Sequence, residues 1–191
     1  GGNLDVTGDI TVQRLDLAAS SGQNSALTVK PGQTVFSTGT TQIGASGVGV
    51  LNVQDATSVL KTANMTIGAG NANGSALNVS AGIAGTVSGN LTLGNNQGTN
   101  NRPSLNISGT GIVNVSNNAA NDINNVTGNA SFVINSGALV TLSIRDQGAL
   151  TISRDLFLHN NTTSNARAVV TIADQASLST VWSFDFRDGT T

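Results

Sequence analysis

The chain has 191 residues, of which 90 are Asn, Gly, Thr or Ser, and it contains no Cys, no Tyr and no Glu. Because Asn, Gly, Thr and Ser are poor helix formers, this composition disfavours a helical fold. Eight Lys and Arg residues against ten Asp give a net charge of −2, without the basic stripe of a nucleic-acid surface. The apolar runs are too short to span a membrane, and the absence of Cys excludes disulfides and thiolate zinc sites.

In chain order, a triplet of the form apolar-polar-apolar recurs along the whole sequence. It opens a unit at Leu4, Leu27, Leu51, Leu77, Leu105, Leu142 and Val170. A second triplet closes the unit and begins at Leu15, Thr41, Met65, Leu91, Leu156 and Phe184, five of them 14 residues after the opening triplet. A third apolar position lies eight residues into the unit, at Val35, Val59, Val113, Leu150 and Leu178, with Gly85 in the unit that begins at Leu77. Alternation with a period of two predicts strands that bury every second side chain.

Most of the units are 23 to 28 residues long, and units of this size cannot close a core singly, but stacked units can. The sequence therefore predicts an all-β fold, a parallel β-solenoid of about seven turns with three short strands per turn. We expect residues 1–191 to form a single domain. In the unit that begins at Leu105 the closing triplet falls at Phe132 and Ile134. The extra residues, near 116–128, predict a loop that protrudes from one face.

Two further features of the repeat concern its corners and the outward positions of its strands. Gly44, Gly68 and Gly94 follow closing triplets and predict corners with positive φ. Asn135 takes the same position in one turn, where Asn is the residue that next best tolerates positive φ. His159 and Arg187 take it in the last two turns, and we expect the corner to change shape there. The middle residues of three opening triplets, Asn52, Asn78 and Asn106, predict an outward ladder of hydrogen-bonded amides. Ten Asn-x-Ser/Thr sequons accompany the repeat.

The stretches LTLG at 91–94 and GSALNVSAG at 74–82, with their copies, carry a resemblance. They resemble the repeat shared by the passengers of bacterial type V secretion (autotransporter) systems and by PEP-CTERM-associated surface proteins. The resemblance covers nearly the whole chain and implies a secreted or surface-displayed β-solenoid of bacterial origin. It supplies no catalytic residues that could be transferred to this sequence.

Some β-helices cleave polysaccharides, which requires clustered carboxylates and usually aromatic platforms. The best local constellation comprises Arg154, Asp155 and His159 with Asp185, Arg187 and Asp188 one turn later. Since Asp155 and His159 flank one strand, we expect them at its opposite ends and assign structural or solvated roles to the group. We expect neither a catalytic site nor a cofactor. Asp55, Asp146 and Asp174 share one phase of the repeat, which leaves a cation open, although no metal ligand is assigned.

Seven apolar residues are candidate assembly contacts. They are Val133 and Phe157, which take outward positions in consecutive closing triplets, Trp182, Phe184 and Phe186 near the C-terminus, and Leu4 and Val6 in the first unit. The outward phase of Val133 and Phe157 predicts contact with the inserted loop or with another subunit. For Phe184 and Phe186 a wider core is the favoured interpretation. No amphipathic helix caps either end of the repeat. Either the chain is a slice of a longer solenoid, or its ends stack on other copies.

The functional expectation is a non-enzymatic structural subunit of an extracellular, self-assembling fibre on a bacterial cell surface. Its partners would be copies of itself, joined end to end, with glycans of the cell surface or matrix as a second candidate. We expect no nucleic acid partner and no membrane span. One alternative is the stalk of an autotransporter-type adhesin passenger. An alternative from another class is a carbohydrate-binding or polysaccharide-cleaving β-helix.

Overall fold

The computed structural model describes residues 2–70, 73–94, 101–118, 120–135, 139–159 and 167–187. These ranges contain strands and turns without a helix, which confirms the all-β class. Accordingly, no membrane-spanning helix is found in the described ranges. In chain order the strands are β1 (Gly2–Val6), β2 (Ile10–Val12), β3 (Leu15–Leu17), β4 (Asn24–Val29), β5 (Thr34–Ile43), β6 (Val48–Val53), β7 (Val59–Ile67), β8 (Asn73–Val79), β9 (Ile83–Thr86), β10 (Leu91–Leu93), β11 (Arg102–Ile107), β12 (Ile112–Val115), β13 (Phe132–Asn135), β14 (Val140–Ile144), β15 (Ala149–Ile152), β16 (Asp155–His159), β17 (Ala168–Ile172), β18 (Ser177–Thr180) and β19 (Ser183–Arg187).

The opening triplets form one parallel sheet in the order β1-β4-β6-β8-β11-β14-β17. Their first residues pair in register as the file Leu4, Leu27, Leu51, Leu77, Leu105, Leu142 and Val170. From Leu27 to Leu142 the members of this file are at most 2% exposed. The predicted parallel β-solenoid and its inward Leu ladder are therefore confirmed.

The closing triplets form a second file along the solenoid. It runs through Leu15, Thr41, Met65, Leu91, Phe132, Leu156 and Phe184. The 14-residue spacing thus corresponds to a fixed path from one face of a turn to another. Phe132 pairs with both Leu91 and Leu156, so the additional residues before it leave the stacking register unchanged.

The third inward file departs from the sequence prediction in two turns. Val35 pairs with Leu60, and Leu60 with Ala84, and all three side chains are buried. Val59 is half-buried on the outer side, and Gly85 pairs with Asn114 in the outward file. The prediction of inward positions at Val59 and Gly85 was wrong because the preceding corners differ in length by one residue, and a slip of one residue exchanges the faces of a strand.

The number of turns and the number of strands per turn also differ from the prediction. The first sheet has seven strands among the described residues, and seven strands enclose six circuits, so the solenoid has about six turns instead of seven. In two turns the second and third strands are merged into the long strands β5 and β7. A register shift between Ser37 and Thr40 bends β5 at the corner without ending it, as a β-bulge does.

The core is one continuous column of apolar side chains, almost all aliphatic, in which each layer rests on the next. Leu51, Ile67, Leu93 and Ile144, among others, are fully buried in this cluster. Burial of one such side chain stabilises the fold by about 1.5 to 3 kcal/mol. The column explains why units too small to fold singly are stable when they are stacked.

The predicted amide ladder is present on the outer side of the first sheet. Asn106 Nδ2 donates to Asn78 Oδ1 across 2.9 Å, and Asn78 Nδ2 donates to Asn52 Oδ1 across 2.9 Å. Asn52 Nδ2 lies 3.5 Å from the hydroxyl of Thr28 in the preceding turn. The ladder connects four consecutive strands through side-chain hydrogen bonds.

The corner after the closing triplet follows the prediction in the first turns. Gly44, Gly68 and Gly94 have φ values of 75°, 73° and 86°. Asn135 instead remains in strand β13 and pairs with His159. His159 in turn pairs with Arg187, so these strands are one residue longer. The shape therefore changes already at Asn135, one turn earlier than predicted, and the expectation that Asn135 replaces the corner Gly was wrong.

Candidate functional site

The main irregularities of the repeat stack on one corner of the solenoid, between the second and third strands of a turn. The pairs Val115–Ile152 and Phe132–Leu156 place the inserted segment 116–131 directly over Ser153 and Arg154. The pairs Ile152–Thr180 and Asp155–Ser183 then place Val181 and Trp182 in the following turn. We call these three levels the irregular corner.

An aromatic ring and an ion pair occupy two levels of the irregular corner. The Arg154 guanidinium lies 5.6 Å from the centre of the Trp182 ring, within cation–π range. Its Nε also pairs with Asp155 Oδ2 at 3.0 Å. Asp155 Oδ1 accepts a hydrogen bond from the Ser183 hydroxyl across 2.6 Å. Asp155 is thus 6% exposed with both oxygens engaged, whereas Trp182 is 69% exposed.

The inserted segment is held together by the amide of Asn118. Asn118 Nδ2 lies 2.9 Å from Ser116 Oγ, 3.0 Å from the Asp122 carbonyl oxygen and 2.9 Å from that of Asn125. Its Oδ1 accepts the backbone N–H of Asp122. The segment is fixed to the neighbouring turn by an antiparallel bridge between Ser88 and Asn117. It is therefore a folded appendage on the side of the solenoid.

The segment also covers part of one outer face. Asn114 Nδ2 donates to the carbonyl oxygen of Ile123 across 2.8 Å. Ile123 is 6% exposed although it lies outside the central column. At the base of the segment, Ser153 Oγ accepts the N–H of Ala130 across 3.1 Å. Hydrogen bonds to three turns thus fix the position of the inserted residues.

Val133 and Phe157 lie side by side in the outward file of the closing strands. Thr92 precedes them and Asp185 follows them in register. Val133 and Phe157 are both half-buried. Their adjacency was predicted from the phase of the repeat, and their role as assembly contacts stays a prediction.

The remaining candidate contacts lie at the two ends of the described solenoid. Leu4 is 55% exposed, whereas Val6 beside it is 2% exposed. At the other end Phe184 belongs to an inward file, as predicted, yet it is 41% exposed. Phe186 pairs with Leu158 through the backbone, and its side chain lies outside the described part of the structure.

The polysaccharide-cleaving constellation is spread along a strand. Asp155 and His159 are the first and last residues of β16, which confirms their expected placement at opposite ends. Asp185 lies beside Phe157 in the next strand. Asp188 and the side chains of His159 and Arg187 lie outside the described part of the structure.

Asp55, Asp146 and Asp174, which share one phase of the repeat, accept hydrogen bonds from other groups of the protein. Asp146 Oδ2 accepts the N–H of Gly109 across 2.9 Å, and Asp174 Oδ2 lies 3.4 Å from the N–H of Asp146. Both Asp residues have positive φ, 59° and 63°. Asp55 accepts hydrogen bonds from the hydroxyl and then the backbone N–H of Thr57, which lower the pKa of its carboxyl group. Within the described ranges no three acidic or His side chains form a cluster that could hold a metal.

An open groove of about 420 Å³ lies between the outer loops of the first turns. Its walls include Gln23, Asn24, Ser46, Val48 and Asn73. The sequence did not predict this groove because it is formed by loops of unequal length, which have no shared pattern. Its described walls contain amide and hydroxyl groups but no aromatic ring or charged side chain.

The fold and the irregular corner define the class of this protein as a parallel β-solenoid that carries a structured appendage on its side. No protein-family model matches the chain, and neither the curated proteins nor the solved structures include a significant match.

Proposed function

We propose that this chain is a non-enzymatic, structural β-solenoid subunit of an extracellular fibre on a bacterial surface, in which copies stack end to end. The observation that carries the proposal is the exposure of inward residues at both ends. Leu4 is 55% exposed and Ile172 is 48% exposed. Leu51 and Ile144, which lie in the same two files, are fully buried. A further layer of strands would bury the end residues in the same way.

The strand register supports end-to-end stacking by a second copy. All strands of the first sheet are parallel, so β17 of one copy and β1 of the next would run in the same direction. Continuation of the files would place Leu4 over Val170 and Val6 over Ile172. Apolar side chains would meet apolar side chains, and the exposed backbone edges would pair.

The other strands of the two ends fit the same continuation. Phe184 would lie against Leu15 of the next copy, because both belong to the closing file. The corner between Thr180 and Phe184 has three residues, and the corner between Val12 and Leu15 has two. The same mismatch is already accommodated within the chain, where Val12 and Leu15 pair with Ser37 and Thr41.

Such a contact joins two different surfaces and therefore produces an open filament instead of a closed oligomer. The test is negative-stain microscopy combined with sedimentation velocity of the full chain over a range of concentrations. We expect filaments whose length increases with concentration. Isolated short rods at high concentration would contradict the proposal.

A matched pair of variants separates the end contact from general surface effects. Ile172→Lys places a charge on the exposed inward file and should abolish filaments. Thr171→Lys alters the neighbouring outward residue, which is half-buried on the side of the rod, and should preserve them. Circular dichroism of both variants checks that the solenoid is folded.

The runner-up function is the stalk of an autotransporter-type adhesin passenger. In that case further turns of a longer protein would cover Leu4 and Ile172, and the 191-residue chain would remain a single rod. The repeat resemblance to autotransporter passengers supports this alternative equally. The microscopy experiment distinguishes the two functions.

The exposure of Trp182 favours a second candidate from another class, a carbohydrate-binding β-helix. A flat indole that is 69% exposed beside the Arg154 guanidinium is suited to stacking on a sugar ring. A glycan panel, read for binding and cleavage, tests it. Trp182→Ala should abolish binding and Val181→Ala should preserve it, and an unresponsive parent chain excludes this function.

A further inference from the structure

The ten Asn-x-Ser/Thr sequons differ in what the fold does with their side chains. In N-glycosylation the side-chain nitrogen of Asn forms the bond to the sugar, so this nitrogen must be accessible. The hydroxyl residue two positions later must be accessible as well, because it is part of the recognised motif. Eight sequons begin at described residues, and those at 160 and 161 lie outside them.

In three sequons the required nitrogen already donates a hydrogen bond that holds the fold together. Asn78 and Asn106 donate from Nδ2 to the next member of the amide ladder. Asn114 is 6% exposed, and its Nδ2 donates to Ile123. A sugar on any of these nitrogens would replace a hydrogen bond that connects two turns or holds the inserted segment.

Two sequons are built into the start of closing strands. Asn64 Oδ1 accepts the N–H of Asn90, and Asn90 Oδ1 accepts the N–H of Ser131. The residues that follow them, Met65 and Leu91, are at most 1% exposed. The central residue of each sequon is therefore locked into the core column.

Two more sequons bury their hydroxyl residue. Asn73 is exposed, but Ser75 is fully buried and accepts the N–H of Gly49. Asn129 is exposed, but Ser131 is 7% exposed. An enzyme that binds both the amide and the hydroxyl cannot reach either pair without displacing the buried Ser residue from its place in the fold.

The sequon Asn125-Val126-Thr127 differs from these seven, because its Asn and its hydroxyl residue are both exposed. Both residues lie outside the strands. Their backbone is fixed, because the Asn125 carbonyl oxygen accepts hydrogen bonds from Asn118 and Ser116, and the Thr127 N–H donates to the Asn125 carbonyl oxygen. The side-chain amide and hydroxyl form no hydrogen bond with other described residues. The inserted segment thus displays this motif in an ordered form.

We propose that Asn125 is an N-glycan acceptor site of the folded protein, with an activated sugar diphosphate as the donor. In the transfer, the bond between Asn125 Nδ2 and C1 of the sugar forms, and the bond from C1 to the diphosphate oxygen breaks. The diphosphate leaves with the electron pair, and one amide proton passes to a base of the transferase. The site lies on the side of the rod, so a glycan there is compatible with stacked ends.

The test uses the full chain carrying Asn160→Gln and Asn161→Gln, incubated in its folded state with a soluble sequon-specific N-glycosyltransferase and UDP-glucose. Synthetic peptides that span each sequon show which sequences the enzyme accepts without the fold. We expect one hexose per folded chain in the intact mass, mapped to Asn125. Peptides of several sequons should be modified, including that of Asn78.

Two variants identify the motif within the inserted segment. Thr127→Val removes the exposed hydroxyl and should abolish the modification, whereas Asn129→Gln should leave it unchanged. Circular dichroism confirms that both are folded. The proposal is overturned if the folded chain is unmodified at Asn125 while the Asn125 peptide is modified, or if Asn78 and Asn106 are modified as rapidly as Asn125.

Discussion

Asn106 donates a hydrogen bond from its side-chain amide to Oδ1 of Asn78, one turn earlier, across 2.9 Å. Each of these residues follows a Leu that is fully buried, Leu105 and Leu77. Adjacent positions in one strand therefore perform two different tasks. The Leu residues build the column inside the solenoid, and the Asn residues connect its turns from outside.

The first prediction separates these two tasks. Leu77→Asp buries an unpaired charge. It should therefore unfold the chain or lower its free energy of unfolding more than a Leu→Ala substitution would, which typically costs about 2 to 5 kcal/mol. Asn78→Ser weakens two hydrogen bonds at a half-buried site, each worth about 1 kcal/mol. Urea denaturation followed by circular dichroism measures both. Equal destabilisation by the two substitutions would refute the inward and outward assignment.

The second prediction concerns the corner at Gly94. Its φ is 86°, and a Cβ atom there would lie 2.2 Å from the carbonyl oxygen of Asn135 in the next turn. Gly22 also has positive φ, 77°, but a Cβ there would meet no atom within 4 Å. Gly22→Ala should cost about 1 kcal/mol for the backbone conformation alone. Gly94→Ala should cost a further ~2 kcal/mol for the steric overlap, and equal losses in thermal unfolding would contradict this account.

The third prediction follows from the hydrogen bonds between Asp55 and Thr57. The Thr57 hydroxyl, and after it the Thr57 N–H, hold the pKa of Asp55 below its ordinary value because they stabilise the charged form. A lowered pKa in the folded state stabilises the fold above the unfolded pKa of about 4, and this contribution is lost as the pH falls through the folded pKa. Thr57→Val should raise the pKa measured by NMR titration, and Thr57→Ser should keep it low. An unchanged pKa in Thr57→Val would exclude the hydroxyl as the cause.

Most of the ladder positions could be predicted from the sequence, because a stacked fold needs the same residue type at the same place in each turn. Phe132 was placed correctly across an insertion, since the phase resumes after it. Val59 was wrongly predicted to point inward because the corner before it is one residue longer than the corner before Val35. Six residues separate Val53 from Leu60, whereas five separate Val29 from Val35. Corners face solvent, so their length can vary without disturbing the core.

The candidate site was less predictable than the ladders. The sequence indicated that aromatic residues concentrate near the C-terminus, but not that Trp182 lies over Arg154. That contact depends on the register of two corners that lack a repeated motif. The folding of the inserted segment around Asn118 was missed for the same reason, because its hydrogen bonds are mostly to backbone carbonyl groups that carry no sequence signal.

If the sheets of one copy continue in the next, the strand register determines which residues meet at the junction between the two copies. In the outward file that contains Asn3 and Val169, continuation would place Val169 of one copy beside Asn3 of the next. Parallel strands lie about 4.8 Å apart, which a disulfide can span. Because the chain has no Cys of its own, an introduced pair reports this junction alone.

The most direct measurement is therefore oxidation of a chain that carries both Asn3→Cys and Val169→Cys, followed by non-reducing electrophoresis. We predict a ladder of covalent multimers, at most dimers from either single variant, and much weaker cross-linking when Thr171→Cys replaces Val169→Cys. Absence of multimers, or equal cross-linking by the out-of-register pair, would contradict the end-to-end fibre.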